Sequence, residues 1–251
     1  SNTLFSIAAA GKNIVTSRHL FGNTYSFIAG TLSRFGVEPR LCDLTDIGAV
    51  EKVVDSNTCC IYVEIITNPQ MEVADLQALS RIVHERGIPL IVDTTLIPFT
   101  EFDSHSLGVD IEVVSSKRMR TEMLLNLGAY MTPHVAYMHT IGLETLDARY
   151  RIQSANAAML AGKLRILSAV KRVNYVGLKD NSYYALAQRQ FGPTAGAMIT
   201  IDLESKEACF AFINRLKLIR RATNLFDNKT LAIHPASTIF GPFTDKQRQD
   251  M

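Results

Sequence analysis

At 251 residues, 47% of them hydrophobic and 20% charged, the chain has the composition of a globular protein able to bury a sizeable core. A formal net charge of +2, with no basic run longer than a few residues, gives no case for a nucleic-acid partner. No signal peptide and no apolar stretch of about 18 residues is evident, and Cys42, Cys59, Cys60 and Cys209 lack metal-ligand spacing, so the expectation is a cytoplasmic protein without a membrane partner, with Cys59 and Cys60 as buried thiols.

Residues 1–10 read as the end of a helix closed by Gly11. Residues 13–17 form a short strand, and Phe21-Gly22-Asn23-Thr24-Tyr25 opens a helix running to about Phe35. A second strand follows over 40–42, and Thr45-Asp46 caps a short helix through Val54. Residues 59–66 are a strongly apolar strand, broken by Thr67-Asn68-Pro69. Asp75 caps a helix over 76–86 with Leu79, Ile82 and Val83 on one face, and Gly87 ends it. Leu90-Ile91-Val92 is an uninterrupted apolar run, as in a strand buried on both faces of a parallel sheet. It stops at Asp93, Thr94 and Thr95, then Pro98. One more strand over 111–114 ends in Ser115-Ser116.

This strand–helix alternation predicts an α/β fold with a doubly wound, mainly parallel sheet. From Thr121 a long helical region runs toward Arg165. A smaller α+β unit then contains a strand over 197–203, a helix over 206–216 and a polar stretch over 222–235. The predicted division is a large domain over 1–165 and a small C-terminal domain over 166–251.

The strand ends carry Thr67-Asn68, Asp93–Thr95 and Ser115-Ser116, short polar groups gathered on one edge. A carboxylate at the carboxyl end of a buried strand stands where open α/β sheets hold ligands, and its charge is costly unless a cation or strong donor meets it. Capping of the next element is the plain alternative for Asp93. Gly-x-Gly-x-x-Gly, Walker A and Gly-x-Ser-x-Gly signatures are absent, and His84-Glu85 lacks the second histidine of a zincin helix. A pyridinium nitrogen is a cation that a buried carboxylate keeps protonated, and hydroxyls suit a phosphate.

Residues 18–25, Thr67-Asn68-Pro69, residues 91–95, residues 110–116 and residues 220–240 resemble the Cys/Met-metabolism family of pyridoxal-phosphate (PLP) enzymes. Ile-Glu-Val-Val-Ser-Ser, Gly-Leu-Glu-Thr-Leu, Leu-Ile-Arg-Arg-Ala-Thr-Asn and His-Pro-Ala-Ser-Thr are most similar to its O-acetylhomoserine sulfhydrylase branch. The resemblance implies the aspartate-aminotransferase-like fold of type I PLP transferases, with PLP as cofactor. It implies a γ-replacement of O-acetylhomoserine by sulfide or another sulfur donor, in a homotetramer with sites at the dimer interface. Cystathionine γ-synthase and methionine γ-lyase activities are the family alternatives. An inactive scaffold of the same fold and a nucleotide-binding α/β domain are more distant ones.

Position by position, Asp93 would pair with the ring nitrogen, Phe21 would stack on the ring where relatives usually carry Tyr, and Asn68 would lie beside the ring oxygen and substrate. Thr95 would support the ring near Asp93, Ser115 would donate to the phosphate, and Asn224 would contact the substrate carboxylate. Core packing for Phe21, a pre-proline turn for Asn68 and a loop cap for Asn224 are the plain alternatives. The sequence departs from the family after Ser116, where Lys117-Arg118-Met119-Arg120 replaces the expected lysine and glycine-rich run. The resemblance therefore implies that the Schiff-base lysine belongs to a further segment after Ser116, with Lys117 itself the competing candidate. It likewise implies a phosphate-binding segment before Ser1 and a carboxylate-gripping arginine beyond Met251.

Overall fold

The computed structural model describes residues 2–114, 132–241 and 243–244. Five strands, β1 (Asn13–Ser17), β2 (Glu38–Cys42), β3 (Thr58–Glu64), β4 (Leu90–Asp93) and β5 (Ile111–Val113), form a wholly parallel sheet in the order β2-β1-β3-β4-β5. The doubly wound parallel sheet expected from the apolar runs is the one observed. Strand side chains alternate between faces. Ile61, Val63, Leu90 and Val92 enter one core with Leu79, Val83, Tyr150, Ala157 and Tyr175. Cys60, Tyr62 and Ile91 face the other way, against Leu4, Leu20, Ile28 and Leu32. Both faces are covered, as a parallel sheet requires.

The helix boundaries follow capping chemistry. Helix α1 (Asn2–Ile7) is shorter than predicted, and Gly11 (φ 81°) lies beyond it, turning the chain while its N–H donates to the Gly36 carbonyl. The helix expected over 21–35 is α2 (Gly22–Tyr25) continued as a π-helical segment, Ser26–Leu32. Asp46 caps α3 (Ile47–Val53) by accepting from Ala49 N–H, and Asp75 caps α4 (Leu76–His84) by accepting from Ala78 N–H. The predicted helical region toward Arg165 is divided at Thr145 into α5 (Pro133–Glu144) and α6 (Leu146–Leu164), and its predicted start at Thr121 lies outside the described residues. The C-terminal part holds β6 (Arg172–Asn174) antiparallel to β7 (Thr200–Asp202), α7 (Tyr184–Phe191) and α8 (Lys206–Arg215). Two short parallel strands follow, β8 (Arg220–Arg221) and β9 (Leu231–Ala232), the latter inside the stretch expected only to be polar. Among the described residues no helix is long and apolar enough to cross a membrane.

Gly108 ends the single turn His105–Leu107 between β4 and β5 with φ +81°, packed against α4, and a Cβ there would lie 2.5 Å from Ser80 Oγ and 2.6 Å from Ser80 Cβ. Gly108→Ala is expected to destabilise the fold by about 2 kcal/mol, through backbone strain and overlap with α4. Urea denaturation of the two proteins measures it, and equal midpoints would contradict the account.

Candidate functional site

Strand order reverses between β1 and β3, since the chain leaves β1 for β2 on one side and returns to β3 on the other. Ligands of open α/β sheets bind outside the carboxyl ends of strands at such a reversal. Two predicted site residues lie on its two sides: Phe21 on the loop after β1 and Asn68 on the loop after β3. Both side chains are half-buried.

Asp93 closes β4 directly beside Glu64, the last residue of β3, in parallel register. Its Oδ1 accepts from Thr95 N–H at 2.9 Å and from the Thr95 hydroxyl, and its Oδ2 accepts from the Tyr62 hydroxyl at 3.1 Å. The plain capping alternative is thus partly realised, because Asp93 does turn the chain through Thr95. The half-buried carboxylate is nevertheless oriented by neutral donors, and among the described residues it forms no ion pair with a cation. Thr95, expected to support a ring near Asp93, is hydrogen-bonded to Asp93 itself. Tyr62 also bonds to Thr24, and its burial pushes the phenol well above its ordinary pKa, so it acts here as a donor.

Glu64 was not anticipated. Only 7% exposed, it accepts from Phe21 N–H at 2.8 Å and from the backbone N–H of Asn68. Burial, followed by the nearby Asp93 charge, raises its carboxyl to about 8, against the two backbone donors that favour the ionised form. The available signal was that Glu64 is the sole charged residue in the run 59–66. The two loops are also latched directly. His19 Nδ1 meets Glu72 Oε2 at 2.7 Å, and the Glu72 backbone exchanges hydrogen bonds with Thr67.

The structure therefore brings Phe21, Asn68, Asp93 and Thr95 into one group around Glu64. It does not link Asn224 to that group. The exposed Asn224 amide donates to Asp227 Oδ2 at 2.8 Å, on a loop held to α6 by Gln153 Nε2 at 3.1 Å from the Asp227 carbonyl. Ser115, Ser116 and Lys117 lie outside the described residues. Two clefts of about 550 Å³ occur elsewhere, lined by residues such as Phe99, Glu101, Asp103 and Phe191, and neither includes Asp93 or Glu64.

The donor set suits a protonated pyridine ring. Two adjacent carboxyl groups without a cationic partner among the described residues, one of them held by hydroxyls and aimed from a strand end, favour a cation at Asp93. Phe21 on the adjoining corner offers a ring face. Asp93 would hold the ring nitrogen and Phe21 would cover the ring.

Comparison with known proteins agrees with this chemistry. The family model described as Cys/Met metabolism PLP-dependent enzyme matches residues 1–119 and 115–251. The structure of an O-acetylhomoserine sulfhydrylase of Wolinella succinogenes is similar at 41% identity and a TM-score of 0.81, over 90% of this chain and 77% of that one. That of a putative O-acetylhomoserine (thiol)-lyase of Campylobacter jejuni, with a pyridoxyl-lysine phosphate, is similar at 27% identity and a TM-score of 0.90, over 98% and 72%. An L-methionine γ-lyase of Fusobacterium nucleatum is 31% identical over 275 residues, spanning 99% of this chain and 69% of its own length. That alignment is longer than the 251-residue chain, so the relative carries internal residues with no counterpart here. The two matches to the family model meet at residues 115–119.

Proposed function

The chain belongs to the Cys/Met-metabolism family of PLP-dependent enzymes, and from that premise we propose that it performs a γ-replacement, converting O-acetylhomoserine and a sulfur donor into homocysteine and acetate. The observation that carries the PLP chemistry is Asp93, a strand-end carboxylate held by Thr95 and Tyr62 beside a second carboxyl group. Likeness to the Wolinella and Campylobacter proteins supports the choice of substrate.

When bound, PLP supplies an electron sink for negative charge at the substrate α and β carbons. Asp93 keeps the ring nitrogen protonated, and Phe21 stacks on the ring without the phenol that could move protons. Asn68 orients the ring oxygen and the substrate, Ser115 donates to the phosphate, and Asn224 receives the substrate carboxylate. A lysine amine carries the α and β protons, with its pKa drawn toward neutrality by the cationic site. We place that lysine in a segment following Ser116, a position supported by the two family-model matches, which meet at residues 115–119. The acetate leaves from Cγ, where the sulfur then adds. We place the PLP-binding domain at 1–165 and the smaller domain at 166–251, in a cytoplasmic homotetramer.

A second reading, γ-elimination without an acceptor, is favoured by the likeness to the Fusobacterium methionine γ-lyase. Steady-state assays of O-acetylhomoserine with sulfide, with cysteine and with no acceptor separate the two. Homocysteine is the expected main product with sulfide. Main production of cystathionine with cysteine would mark a cystathionine γ-synthase, and 2-oxobutyrate as the main product would overturn the replacement reading. Borohydride reduction and peptide mapping of the same preparation identify the labelled lysine, and a label on Lys117 would refute its placement in a further segment.

A further inference from the structure

Glu64 is the buried group that the family chemistry leaves without a role. Its carboxyl reaches across the strand reversal, taking Phe21 N–H from the loop after β1 and Asn68 N–H from the loop after β3. It sits in register with Asp93, and Tyr62, two residues earlier on the same strand face, donates to Asp93. We infer that Glu64 is a positioning residue for the ring slot, a brace that fixes the stacking residue Phe21 and the ring-edge residue Asn68 relative to Asp93. The inference rests on the PLP reading and deepens it.

The physical reason is the reach of one side chain. Phe21 and Asn68 belong to different loops, and a shared acceptor sets both backbones against the sheet. A ring slot built from loops needs such support, because small misplacements of a stacking face or of a ring-edge amide weaken every contact they make. The groups facing Glu64 are those two backbone donors, the Asp93 carboxylate and, from its own strand, the Tyr62 phenol. Its burial, the main cause of its raised pKa, screens the carboxyl from water, while the two backbone donors work against that shift.

Equilibrium dialysis of pyridoxal 5′-phosphate against the purified chain, with the induced circular dichroism of the bound cofactor, tests this brace. Glu64→Gln keeps the shape but leaves a single carbonyl oxygen to accept from the two backbone donors, and Glu64→Asp is one methylene too short to span both. Both variants are expected to bind the cofactor about tenfold or more weakly and to alter the induced dichroism, with unchanged far-UV spectra. A Glu64→Gln protein with wild-type affinity and wild-type induced dichroism would overturn the inference alone. A wild-type chain that does not bind pyridoxal 5′-phosphate overturns the PLP reading and the inference together. Should neither variant fold, amide hydrogen exchange on the wild type decides. Protection of the Phe21 and Asn68 amides in the absence of cofactor supports the brace, and fast exchange at either overturns it.

Discussion

Asp93→Ala is expected to lower the affinity for pyridoxal 5′-phosphate by about a hundredfold and to abolish turnover, because a hydrogen bond to a charged group contributes roughly 1.5–3 kcal/mol. The far-UV spectrum should not change. Asp93 lies at the edge of the core, and its removal relieves the repulsion with Glu64 that stands beside it in register. Asp93→Asn separates charge from shape. It can keep the contacts with Thr95 and Tyr62 but cannot hold a proton on a ring nitrogen, so it should bind nearly as poorly as the alanine variant. An alanine variant that binds the cofactor as tightly as the wild type and stays active would remove the basis of the PLP assignment.

The cofactor-free protein is expected to lose stability as the pH rises from about 5 to 8, relative to Glu64→Gln. The folded-state pKa of Glu64 lies near 8, above the ordinary 4.5, first through burial and then through the Asp93 charge. Between those values the folded chain keeps a proton that the unfolded chain releases, so this stabilisation is complete below the unfolded value and lost as pH passes the folded one. Each tenfold difference in proton affinity between the two states corresponds to about 1.4 kcal/mol, so the change reaches several kcal/mol across the window. Urea midpoints from pH 5 to 8.5 measure it, and parallel profiles for the two proteins would contradict it. A ring cation beside Asp93 counters the repulsion, so saturating pyridoxal 5′-phosphate should flatten the wild-type slope.

Much of the scaffold was legible in the sequence because single residues state local physics. Leu90–Val92 could only be a buried parallel strand, Asp46 and Asp75 announced their helices, and Asp93 stood out as a charge at the end of an apolar run. Glu64 was not legible, because one carboxylate within 59–66 looks like an outward-facing strand position until the register places it beside Asp93. The break at Thr145 and the π-helical course of Ser26–Leu32 escaped because apolar periodicity does not distinguish small changes of winding. The two-residue strands β8 and β9 are too short to show a period of two. The motif resemblance reached further than periodicity at Phe21 and Asn68, whose meeting at Glu64 depends on two loops far apart in the chain.

The contact of His19 with Glu72 gives the rim of the crevice a shared fate. It ties the corner after the first strand to the loop after the third. A displacement of either loop is therefore expected to carry the other with it.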